Sequence, residues 1–176
     1  MARLLVVFAL CVLPALVSAR PAKPSYLTVK GRVYCDTCLA GFETPAATYI
    51  HESCLVIVPD ESDDKPTAGA KVSVECRERE SGKPTFTTEG VTDHTGTYMI
   101  PVTDDHDDEI CETVLKSSPQ ADCATVAPGR ERARVFLCSN NGIVSHTRFA
   151  NNLGFQKNTP LAGCAQVLKQ YQEFDN

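Results

Sequence analysis

Tryptophan is absent from the 176 residues and methionine occurs only twice, so with aromatics at 7% any core must be built mainly from aliphatic side chains. There is no basic excess. The 17 Lys and Arg face 22 Asp and Glu, a net charge of −5. That balance argues against nucleic acid and anionic lipid as partners, because both are held by basic surfaces. No apolar run is long enough for a membrane span: residues 4 to 17 fall short of the roughly 20 required and are interrupted by Pro14. Asn158 is followed by Thr-Pro, and no other asparagine has Ser or Thr two places on, so N-glycosylation is not expected. A G-x-S-x-G nucleophile elbow is missing, as is a second CxxC to complete a zinc site.

What the chain does have begins at its first residues. After MAR comes LLVVFALCVLPALV, then the small residues Val17-Ser18-Ala19 that a signal peptidase reads. We expect residues 1–19 to be a secretory signal peptide and residues 20–176 to form a single domain. Cys11 leaves with the signal, and Cys35, Cys38, Cys54, Cys76, Cys111, Cys123, Cys138 and Cys164 remain. An even number in an oxidising compartment points to disulfides rather than metal thiolates.

Period-two alternation recurs in short segments bounded by Gly, Pro, Asp and Asn. Leu27, Val29, Gly31, Val33 and Cys35 are set on one face, with Thr28, Lys30, Arg32 and Tyr34 on the other. Val72, Val74 and Cys76 oppose Ser73, Glu75 and Arg77 in the same way. Further strands are expected at PTFTTEGV from Pro84, TYMIPV from Thr97, ICETVLK from Ile110, ARVFLC from Ala133 and VSHTRFA from Val144. Seven short strands imply an all-β, seven-stranded antiparallel barrel or sandwich. In VTDHTGTYMIPV, the Asp93 carboxylate and Gly96 form a tight turn that delivers Tyr98, Ile100 and Val102 to the core. This hairpin after AKVSVEC resembles prealbumin-like folds. The one helical pattern is AQVLKQY, a surface appendage docked by Cys164.

The pair in CDTC can be a redox centre, half of a zinc site, or two half-cystines bound for different partners. A redox pair belongs at a helix N-terminus, and this one ends a strand. DDHDDE, residues 104 to 109, gathers five carboxylates around His106 but lacks the glycine and terminal glutamate of a calcium loop, and reads as a solvated edge-protecting loop. His51, His94, His106 and His146 are scattered over loop and edge positions. Arg130, Arg132 and Arg134 share a face that suits an acidic partner or polysaccharide carboxylates, with Glu75 or Glu112 as ion-pair partners within the sheet.

GRVYCDTC, followed by AGFET and TYI, resembles the opening motif of the Ole e I-like pollen proteins, the family of the major olive pollen allergen. The likeness continues through GAKVSVECRERESG, EGVTDHTGTYMIPV, DDEICETVL, GRERARVFL, NNGI, RFANNLGF and PLAGCAQVL. The resemblance implies a secreted plant protein of the extracellular space or apoplast, a disulfide-braced β domain, and no enzymatic activity, cofactor, metal or catalytic residue. It implies partners such as a receptor-like kinase ectodomain in pollen hydration and tube growth. A structural role on cell-wall polysaccharide is the alternative, and an apoplastic enzyme or enzyme inhibitor a third. It also implies the pairs Cys35 with Cys123, Cys38 with Cys164, and Cys76 with Cys111. Two features depart from the family pattern: an insertion at residues 51–68, and the additional Cys54 and Cys138, which either form a fourth bridge or stand as two unrelated thiols.

Overall fold

The computed structural model describes residues 26 to 51, 69 to 139 and 142 to 172. The expected signal peptide and all of the expected insertion but His51 lie outside the described residues. So does Cys54, and with it the fourth bridge. In chain order the strands are β1 (Tyr26–Asp36), β2 (Thr48–Tyr49), β3 (Lys71–Glu78), β4 (Pro84–Val91), β5 (Thr97–Thr103), β6 (Glu109–Ser117), β7 (Thr125–Val126), β8 (Arg132–Val135), β9 (Thr147–Phe149) and β10 (Leu153–Gln156), followed by helix α1 (Cys164–Gln172).

The long alternation of β1 makes it the spine of one sheet. Along one edge it pairs antiparallel with β5, from Tyr26↔Thr103 to Arg32↔Thr97, and then with β2 at Tyr34↔Tyr49. Along the other it pairs parallel with β9 over Thr28 to Lys30 and with β10 over Val33 to Asp36. β7 adds to β10. The second sheet has the order β4-β3-β6-β8. The core lies between the sheets, where Leu27, Val29, Val33, Tyr98, Ile100 and Val102 meet Val72, Val74, Ala133 and Val135. At roughly 25 cal/mol per Å2 of apolar surface removed from water, this aliphatic layer is the main source of folding free energy.

Of the expected seven-stranded antiparallel barrel or sandwich, the two-sheet β arrangement is found, while the barrel, the strand number and the purely antiparallel pairing are corrected among the described residues. Ten strands form two sheets, neither closes into a barrel among the described residues, and two of the pairings are parallel. β2 and β7 have two residues each, too few for a period to register. Of the segment expected as a strand from Val144, only Thr147–Phe149 forms β9, and β10 follows beyond it at Leu153–Gln156, where no strand was expected. Their register on β1 slips by one residue between Lys30↔Phe149 and Val33↔Leu153, the mark of a bulge at residues 150 to 152. Parallel pairing follows because this late segment docks on the free edge of β1 in the same direction, which a meander of hairpins would not do.

The turn at Asp93 forms as its residues dictate. The Asp93 carboxylate accepts from the Thr95 and Thr97 amides at 2.8 and 3.1 Å, and Gly96 takes a φ of 72°. Hydrogen bonding from the Thr95 hydroxyl is the largest of the influences that hold the Asp93 carboxyl below its ordinary range. Tyr98, Ile100 and Val102 are fully buried.

On the outer face of the second sheet, Glu112 of β6 accepts from Arg77 of β3 and Arg132 of β8, both at 2.7 Å. Burial works to raise the Glu112 pKa, but the two guanidiniums outweigh it and hold it below the usual 4.5. The Lys116 ammonium does the same for Glu75. A carboxylate with a depressed folded pKa stabilises the fold above its unfolded value and loses that contribution as pH falls through the folded one. The thermal midpoint is therefore expected to hold steady above about pH 5 and to fall below about pH 4.5, with Glu112→Gln showing a shallower acid limb. Parallel acid limbs in the two proteins would remove Glu112 from the account.

Candidate functional site

The CDTC corner is built for two bridges that leave in different directions. Cys35 at the inward end of β1 is joined to Cys123, and Cys38 beyond the corner to Cys164 at the start of α1. Cys76 of β3 is joined to its cross-strand partner Cys111 of β6. Asp36 fixes the corner, its two carboxylate oxygens accepting from the Cys38 and Gly41 amides at 3.1 and 2.8 Å. Thr37 donates its hydroxyl to Ala46 O at 2.8 Å. Cys138 is half-buried and has no disulfide partner among the described residues.

His106 is buried while His51, His94 and His146 are exposed. The His106 ring lies 4.7 Å from that of Phe86, with Nδ1 2.8 Å from Glu109 Oε2 and Nε2 3.2 Å from Thr103 O. The carboxylates of DDHDDE diverge. Asp105 accepts from the Ser139 amide, whereas Glu109 faces His106 and Thr85. Among the described residues, the cluster of possible metal donors is Cys76, His106, Glu109 and Cys111. Its two sulfurs are already joined to each other, so they are not thiolates and the set does not fit a metal.

Of the arginine stripe, Arg132 is paired with Glu112 and the Arg134 guanidinium sits 5.7 Å from the centre of the Phe136 ring. Arg130 precedes β8 and turns elsewhere, donating from Nε to Gly41 O at 3.2 Å. There it helps line a cleft of about 490 Å3 with Tyr34, Glu43, Ala150, Asn151 and Asn152.

Four separate pieces of chain build this cleft. Tyr34 projects from the outer face of β1, where alternation puts an exposed residue, yet it is 1% exposed. Tyr34 thus keeps the face that alternation assigns it and is buried there for two reasons. Its partner on β10 is Gly154, on which a Cβ would come within 2.7 Å of the Tyr34 ring, so the ring lies down over the bare glycine backbone. Residues around Glu43, Arg130 and the bulge then cover it. The bulge at residues 150 to 152 re-aims Asn151 and Asn152 into the same space.

Glu43 is held from both sides, Oε1 accepting from the Tyr49 hydroxyl and Oε2 from Asn152 Nδ2 at 2.7 Å. The Tyr49 ring in turn carries the Arg32 guanidinium 3.3 Å above its centre. The Tyr34 hydroxyl is buried with no hydrogen-bond partner among the described residues. Burial pushes its pKa up, with Arg130 opposing and Asp36 and Glu43 reinforcing the shift. The hydrogen bond to Glu43 does the same for Tyr49. A lone buried hydroxyl costs about 1–3 kcal/mol, and such groups call for an explanation. Sequence reading did not assemble these residues. The available signals were the doubled Asn151-Asn152 and the Gly154 that follows.

Comparison with known proteins agrees over nearly the whole chain. The family profile described as "Pollen protein Ole e 1 like" matches residues 25–172. Pollen-specific protein C13 of Zea mays is 42% identical, covering 97% of this chain and 91% of its own length. Pollen allergen Che a 1 of Chenopodium album is 40% identical over 97% and 93%. The crystal structure of the major plantain pollen allergen Pla l 1 is similar with a TM-score of 0.63 at 27% identity, covering 79% of this chain and 99% of that one. A two-sheet β domain with three disulfides, matched from residue 25 to residue 172, belongs to the Ole e 1-like family of pollen proteins.

Proposed function

We propose that this is a secreted, non-enzymatic protein of the pollen extracellular space that acts by recognition, its partner an extracellular protein such as a receptor-like kinase ectodomain engaged during hydration and tube growth. The observation that carries the reading is the match to pollen-specific relatives along almost the full length of the chain. The chemistry supports it. Three disulfides, which persist in oxidising compartments, brace a scaffold whose connecting loops are free to vary. His106, the buried histidine, is engaged by Glu109, Thr103 and Phe86 rather than by a nucleophile. The family is one of pollen allergen-like proteins and not of known enzymes.

Pull-down from pollen with the secreted protein, which should begin at Arg20, tests this reading against a panel of receptor-kinase ectodomains and insoluble wall polysaccharide. Saturable nanomolar binding to an ectodomain is the expected result. Retention on wall polysaccharide with no ectodomain bound would replace recognition of a protein by a structural role in the wall.

A further inference from the structure

We propose that the Tyr34 cleft is a binding site for an acidic saccharide, with one hexuronate unit seated between Arg130 and the asparagines of the bulge. The proposal concerns a different ligand from the protein partner above and stands or falls separately from it.

The argument starts from which polar groups are already committed. Arg130 donates through Nε to Gly41 O, and among the described residues its two terminal amino groups have no acceptor. Those two groups form one side of the planar fork that fits a carboxylate bidentately. Glu43 stands in the same cleft but forms no ion pair with Arg130, being held by Tyr49 and Asn152 instead. Because Asn152 spends its Nδ2 on Glu43, its carbonyl oxygen remains to accept. Asn151 is exposed beside it. At the floor is the unpartnered Tyr34 hydroxyl, able to donate or accept.

The cleft thus offers one free guanidinium fork, one carboxylate group with spare lone pairs, amide groups of both polarities and one phenol. A simple anion matches Arg130 but brings no hydroxyl donors for Glu43 and Asn152. A neutral polyol matches Glu43, the asparagines and Tyr34 but leaves the guanidinium fork without an acceptor. A sugar acid satisfies both halves, its carboxylate on Arg130 and its ring hydroxyls donating to Glu43 and Asn152. A volume of about 490 Å3 admits a hexose ring with part of a neighbour. The net charge of −5 also matters, since a protein of this sign has no diffuse attraction for a polyanion and needs a local site to hold one.

The test is calorimetric titration of the secreted protein with galacturonic acid trimer, neutral galactose trimer, and a glutamate trimer peptide as a carboxylate without sugar hydroxyls. The acid sugar is expected to bind at least about tenfold more tightly than either control. Two variants separate binding from folding. Tyr34→Phe removes a hydroxyl that no described residue uses, so its thermal midpoint should be equal or higher while affinity falls about three- to tenfold. Arg130→Gln should lower affinity about ten- to a hundredfold. The proposal is overturned if the acid sugar shows no binding at about 10 mM, if either control binds as tightly, or if both variants bind as the parent does.

Discussion

Replacing Gly31 with alanine is expected to cost the domain about 3 kcal/mol or more, out of a total that for domains of this kind is about 5–15 kcal/mol. Gly31 and Tyr98 are directly opposed on β1 and β5, and both face the core. A Cβ at Gly31 would stand 2.2 Å from the Tyr98 hydroxyl oxygen and 2.5 Å from Cζ. The phenol cannot swing aside, because it is fully buried among aliphatic side chains from both sheets. Either Tyr98 leaves the core, exposing its ring and opening a cavity, or β1 and β5 separate along a ladder that runs from Tyr26 to Arg32. Urea unfolding gives the measurement, and a double-mutant cycle identifies the cause. Tyr98→Leu alone should destabilise, but Gly31→Ala added to it should cost much less than in the parent. A Gly31→Ala protein within about 0.5 kcal/mol of the parent, a typical surface-substitution effect, would show that the contact yields cheaply.

The same pairing of a bare glycine with a tyrosine ring recurs at Gly154 and Tyr34, and the two cases show what could be read in advance. Gly31, Val33 and Cys35 lie on the alternating face that periodicity assigns to the core, and Tyr98 follows a turn whose Asp93 and Gly96 are recognisable as such. The core half of the molecule was legible because a period and a turn are local properties. Tyr34 lies on the other face, and nothing within β1 distinguishes it from Thr28 or Lys30. Its burial depends on Gly154 arriving opposite it, more than a hundred residues later, in a parallel register displaced by a bulge. Register between distant segments is settled by three-dimensional packing, not by neighbours in sequence. The parallel strands and the cleft that Tyr34 floors were hidden for that reason, whereas the two-residue strands are too short to show a period. Cysteine pairing was hidden too, since six cysteines allow 15 connectivities whatever their spacing.

Removing the Cys35–Cys123 bridge is the other change with a large expected effect, and comparison with Cys38–Cys164 shows why the position of a bridge matters as much as its span. The two bridges span 88 and 126 residues, and each is already shortened by the other because Cys35 and Cys38 are near neighbours. With one intact, the other closes a residual loop of about 45 residues, for which chain entropy gives about 4 kcal/mol in either case. The folded states respond differently. Cys35 and Cys123 are both fully buried in the continuous core, so Cys35→Ala/Cys123→Ala gives the fold no way to relax locally and should lose the full amount. Cys164 is the buried residue of α1, and nine residues are too few for a helix to persist in water unaided. Cys38→Ala/Cys164→Ala should therefore release α1, which the Phe42–Tyr171 ring contact alone is too weak to hold, while the sheets keep most of their stability. Urea titration should rank the first double variant well below the second. Hydrogen exchange in the second should show amides of residues 164 to 172 losing protection while those of β1 and β5 keep theirs. A global loss in Cys38→Ala/Cys164→Ala equal to that in Cys35→Ala/Cys123→Ala would mean that α1 is part of the cooperative core instead of an element tied to it.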